Sequence, residues 1–137
     1  MRLWHKDLIP VLPRQQLLSQ WRECCGIKGR IEQDGSPKHI LVNRVMDYSM
    51  DHFYTYCKLI SQEMFNRKYK ISAKSKEKIW TELWSYIDYD ELFSGWHNDI
   101  YLRQCLYNLE EKYICGGIPN EEWQQICAKF PEFELCT

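Results

Sequence analysis

The sequence predicts an all-α fold, a single-domain bundle of about five helices with a loop-rich segment after the first. Three observations lead there. Prolines fall at positions 10, 13, 37, 119 and 131 and leave long uninterrupted stretches between them. Within those stretches apolar residues recur at helical spacing. No segment shows the strict apolar/polar alternation of a half-buried strand. The 137 residues suffice for one domain with a real core. With 45% hydrophobic and 15% aromatic residues, the chain has enough apolar area to offset the entropy of ordering.

The first helix is expected to open near Pro13, since proline suits an early helical position, and to run to about Cys25, where Gly26 and Gly29 stop it. Leu17, Leu18, Trp21 and Cys25 form its apolar side, and Arg14, Arg22 and Glu23 lie off that stripe. Residues 26–48, with Gly35-Ser36-Pro37 and a short Ile40-Leu41-Val42 run, read as loop plus one helical turn. A second helix spans Met50 to Arg67, with Phe53, Tyr56, Cys57, Ile60 and Met64 on one face. A third, capped by Ser72 or Ser75, carries Ile79, Trp80, Leu83, Trp84 and Ile87. The fourth covers about Asn98 to Ile114 and stops at Gly116-Gly117; a short fifth follows Pro119-Asn120 to about Phe130.

Composition narrows the function classes. No apolar run approaches the roughly 20 residues of a membrane helix, and the first residues, with Arg2, His5, Lys6 and Asp7, lack the apolar stretch of a signal peptide. A cytoplasmic protein without membrane contact, acting as a monomer, is expected. The seven cysteines are odd in number and lack a C-x-x-C spacing, so they read as reduced thiols. No histidine pairs with them at a zinc spacing, and no metal is expected. The net charge of −1 hides an asymmetry: residues 1–80 hold 15 Lys+Arg against 8 Asp+Glu, and residues 81–137 hold 3 against 11. Such an imbalance either solvates two surfaces or marks a basic face for phosphate.

The N-terminal residues carry the chemistry. Met1-Arg2-Leu3-Trp4 is followed by Arg14-Gln15-Gln16-Leu17-Leu18-Ser19-Gln20-Trp21-Arg22-Glu23, a helix whose charged end can sit beside the α-amino group of Met1. An α-amine ordinarily titrates at about 7.7–8.0, so a usable fraction is a neutral nucleophile near pH 7. Taken alone, Glu23 reads as an exposed helix-end carboxylate paired with Arg22.

Together these segments resemble the pyrimidine-dimer DNA glycosylase family of the endonuclease V type. The likeness is closest over residues 1–25. It continues less closely over 39–71, where Glu63-Met64-Phe65-Asn66-Arg67-Lys68-Tyr69-Lys70-Ile71 resembles a family helix end. The resemblance implies a DNA-repair glycosylase that is also an abasic-site lyase, acting on damaged double-stranded DNA without metal or organic cofactor. Its catalytic residues would be Met1, as amine nucleophile forming an imine with the sugar, and Glu23, as the acid/base carboxylate. Contacts to DNA would come from Arg2, Arg14, Gln15, Arg22, Lys28 and Arg30. Two departures bear on lesion specificity: the family's basic residue three positions after the glutamate is Gly26 here, and its first-helix histidine is Gln16. A third concerns the terminus. The family's phage member exposes a threonine by losing the initiator, whereas the bulk of Arg2 is expected to keep Met1.

Two rival readings stand beside this one. The chain could be a non-catalytic helical relative that binds nucleic acid or protein, or an enzyme using the same amine on RNA or a modified base. Trp80, Trp84, Tyr86, Tyr89, Trp96, Tyr101, Tyr107 and Tyr113 could stack on bases, but their helical spacing favours core positions. Cys24-Cys25 has no sequence-fixed basic partner that would make either thiol a nucleophile.

Overall fold

The computed structural model describes residues 1–136. Among them it contains no strand and five α-helices: α1 (Arg14–Asp34), α2 (Met50–Asn66), α3 (Ala73–Ile79), α4 (Asp99–Ile114) and α5 (Asn120–Lys129). Three short 3-10 segments, Lys6–Val11, Asn43–Asp47 and Pro131–Phe133, supplement them. The all-α class is as the sequence predicts. α2, α4 and α5 lie within a residue or two of expectation, and their starts follow from local chemistry: the Asn98 side chain accepts from the Tyr101 N–H, and Pro119 precedes α5.

The first helix differs. It runs straight through Gly26 and Gly29 and ends only at Gly35, whose φ of 82° closes the helix and whose N–H bonds the Ile31 carbonyl at 2.8 Å. Each glycine costs about 1 kcal/mol in a helix interior. The stripe Leu17, Trp21, Cys24, Ile27 continues past them, however, and burying Ile27 alone is worth about 1.5–3 kcal/mol. Packing therefore overrides the local signal, and Glu23 sits mid-helix rather than at a helix end.

α3 departs in the other direction. It stops at Ile79, and residues 80–87 form no helix carrying Trp80, Leu83, Trp84 and Ile87. Side chains from α1 and α2 capture this segment: Asp51 accepts from the Ser85 N–H at 3.0 Å, Thr55 from the Ile87 N–H at 2.9 Å, and the Lys28 ammonium donates to the Thr81 hydroxyl at 2.7 Å. Trp80 and Trp84 stack on each other, while Leu83 is fully exposed. The following turns drive Leu92, Phe93, Trp96 and His97 into the core. Of the aromatics expected in the core, Trp96 is buried, whereas Tyr86, Tyr89 and Tyr107 are exposed.

Residues 1–6 thread into the bundle and are held from several sides. The buried Lys6 ammonium donates to the Tyr89 and Leu92 carbonyls, and the Lys6 N–H donates to His97 Nδ1 at 3.0 Å. His97 Nε2 is buried without a partner. Burial, then the neighbouring His5, Lys6 and Arg44, hold the His97 imidazole down to about 2. Burial also lowers His5, against the opposing pull of Asp7. In the unfolded chain these histidines titrate near 6.5 and take up protons that the folded state refuses, so stability falls as pH drops below about 6.5. We expect the urea midpoint to fall between pH 7 and pH 5, by about 1–2 kcal/mol of stability from His97. His97→Asn, which can still accept from Lys6, should remove much of that slope; an unchanged slope would show that other groups cause it.

Candidate active site

Gln20 organises the site. Fully buried on α1, it accepts from the Trp4 N–H at 2.8 Å and the Tyr56 hydroxyl at 3.0 Å through Oε1. Its Nε2 donates to the Arg2 carbonyl at 3.0 Å and to Glu23 Oε2 at 3.3 Å. One side chain thus ties residues 2–4 to the carboxylate one helical turn further on. Tyr56 also donates to the Trp4 carbonyl at 2.7 Å, and Tyr101 to the Leu3 carbonyl at 2.5 Å, so α2 and α4 fix the same strand of backbone. The Gln20 amide and the Tyr56 and Tyr101 hydroxyls are all bonded in this knot, which ties residues 2–4 to α1, α2 and α4.

The N-terminal segment ends at a cavity of about 400 Å³ lined by Met1, Arg2, Gln15 and Glu23 together with Trp4, Gln16, Ser19, Leu41, Asn108 and Lys112. The Met1 amine and the Glu23 carboxylate face one space without a direct ion pair among the described residues. Burial raises the Glu23 carboxyl above its ordinary value, opposed by the terminal ammonium, His39, Arg22 and a backbone hydrogen bond from Arg2. Burial thus favours the protonated carboxyl while the surrounding positive charges favour the ionised one, the opposing influences that a group moving protons in both directions needs. Arg2 lies over the Trp4 ring at 5.4 Å and donates to Cys105 Sγ, two contacts that orient its guanidinium.

The remaining sequence-selected residues lie elsewhere. Arg22 is exposed at the rim, donating to the Ser19 hydroxyl at 3.1 Å. Arg14 stacks over Tyr69, and Arg30 pairs with Asp34 at 3.5 Å on the outer face of α1. Lys28 is buried, 2% exposed, and its ammonium is committed to Thr81 and Glu32, which makes it a clamp on the 80–87 segment rather than a free cation. Its place on the inner face follows from α1 continuing beyond Cys25. Four lining residues carried no signal in the sequence: Leu41, Ser19, Asn108 and Lys112. Lys112 forms no ion pair among the described residues. Gln16, at the position where the family has histidine, lines the cavity with a buried Oε1 that has no protein partner. Among the described residues no group of three or more His, Cys, Asp or Glu is placed to hold a metal.

Comparison with known families bears directly on this arrangement. The family model described as pyrimidine dimer DNA glycosylase matches residues 1–77, more than half of the chain and all of α1 and α2. The chain belongs to the pyrimidine dimer DNA glycosylase family. No curated protein and no solved structure matches it. The matched region of this DNA-repair glycosylase supplies eight of the ten cavity-lining residues; Asn108 and Lys112, from α4, lie beyond it. No helix is long and apolar enough to cross a membrane among the described residues.

Proposed function

We propose that the chain excises damaged pyrimidines from double-stranded DNA and cleaves the resulting abasic site through an imine formed by the Met1 α-amine. The observation that carries this reading is the shared cavity, in which the terminal amine, the Glu23 carboxyl and Arg2 converge. With Met1 as the terminal residue, the neutral amine attacks C1′ of the damaged nucleotide. The C1′–N bond breaks, its electron pair leaves with the base, and the base takes up a proton. Ionised Glu23 stabilises the positive charge that develops on the sugar. It then carries the proton that opens the ring to the imine and helps remove one from C2′, so that the 3′ phosphate leaves with the C3′–O electron pair. Water hydrolyses the imine and frees the amine.

Arg2 and Lys112, both in the lining, offer cations to the phosphates flanking the lesion. The unpartnered Gln16 Oε1 offers an acceptor to a base N–H.

Borohydride tests the reaction class directly, because hydride reduces the imine to a stable amine. With abasic or irradiated duplex DNA, the trapped adduct should map by mass spectrometry to residue 1. DNA binding with no trapped adduct would instead identify a non-catalytic relative that keeps the architecture.

A further inference from the structure

A second groove, of about 300 Å³, lies on the neighbouring face of α1, with Trp21 and Arg22 on one wall and Lys70, Ile71 and Lys78 on the other. α3 is fixed against α1 there, since Trp21 Nε1 donates to the Ser75 hydroxyl at 3.3 Å. Arg22 joins the groove to the catalytic cavity: it lines the groove, and its guanidinium donates to Ser19, which lines the cavity.

The charge around this groove is not compensated within the chain. Lys68, Lys70, Lys74, Lys76 and Lys78 fall within eleven residues that hold a single acid, Glu77, and all five side chains are exposed. None of them forms an ion pair among the described residues. Lys74 and Lys78 stand four apart and so share one face of α3, where like charges weaken a helix. Residues 81–137 hold 3 Lys+Arg against 11 Asp+Glu, so the chain's surplus of cations available to a polyanion lies in residues 1–80, which include this cluster.

We propose that this groove carries the phosphate backbone of the DNA strand as it leaves the catalytic cavity, with Arg22 at the junction and Lys70, Lys74 and Lys78 along the track. The proposal rests on the reading of the chain as a DNA glycosylase. It moves the DNA path away from Lys28, which is buried, and from Arg30, which is paired. Lysine contacts to phosphate carry no sequence information, as suits a protein whose target is damage rather than sequence.

The salt dependence of binding to a 25-base-pair abasic duplex tests the track. Each phosphate contact contributes about 0.9 to the slope of log K against log salt. K70Q/K74Q/K78Q should therefore flatten the slope by about 2.7 and weaken binding roughly tenfold or more at moderate salt. K78Q alone should lower it by about 0.9. R103Q, which removes a cation from a separate acidic hollow with Asp99 and Glu132, should leave it unchanged. Circular dichroism confirms that each variant is folded. A slope in the triple variant equal to that of the wild type, or an equal drop in R103Q, overturns the track. Borohydride trapping by the wild-type protein is scored separately, so a failed reaction with a flattened slope rejects the chemistry and keeps the groove, and the reverse result rejects the groove alone.

Discussion

Glu23→Gln should bind abasic duplex DNA about as tightly as the wild type and lose strand cleavage by about 10²–10⁴-fold, the usual worth of a positioned acid/base group. The substitution keeps the shape of the side chain and its contact with Gln20, and it removes the ionisable group. The fold should tolerate it. Burial raises the Glu23 carboxyl in the folded state, so ionised Glu23 costs stability at neutral pH, and a neutral amide relieves that cost. The thermal midpoint should accordingly stay level or rise while single-turnover cleavage collapses. Cleavage within a few-fold of the wild type would remove Glu23 from the chemistry.

A contrast between local and distant signals explains what can be read from the sequence. α2, α4 and α5 were legible because their ends are set by residues next to them, such as Asn98, Pro119 and Gly116. The end of α1 was not, because two glycines spoke for a stop and the buried stripe through Ile27 spoke against it. Only the packed structure shows which effect is larger. The 80–87 segment failed for a related reason: its helical spacing is real, but Asp51, Thr55 and Lys28 satisfy its backbone and hydroxyl groups from outside.

The candidate site divides in the same way. Met1, Arg2, Gln15 and Glu23 lie within one short stretch whose pattern resembles the family, and the structure brings them to one cavity. Asn108 and Lys112 approach from α4, about a hundred residues away, and nothing in a single sequence marks a lysine for so distant a meeting. Lys28 shows the opposite case. As a basic residue soon after the motif it invites a phosphate contact, yet the continuation of α1 beyond Cys25 places it on the buried face.

An uncleaved N-terminal tag should abolish borohydride trapping and reduce abasic-site cleavage to background, the largest effect expected from any change that leaves all 137 residues in place. The extension turns the Met1 nitrogen into an amide, whose lone pair is delocalised and does not attack carbon. It also starts at the cavity, because Gln20, Tyr56 and Tyr101 hold residues 2–4 and Met1 is part of the lining. Removal of the tag by a protease that regenerates Met1 should restore trapping, which separates loss of the amine from damage to the fold; a retained formyl group should block it in the same way. Lys112 supplies the decisive alternative, since it is the other amine lining the cavity. If tagged and untagged protein cleave equally well and the adduct maps to Lys112, the nucleophile is the lysine and the assignment to Met1 fails. If the adduct maps to residue 1 and Lys112→Gln still traps, the terminal amine performs the attack and the lysine acts on phosphate.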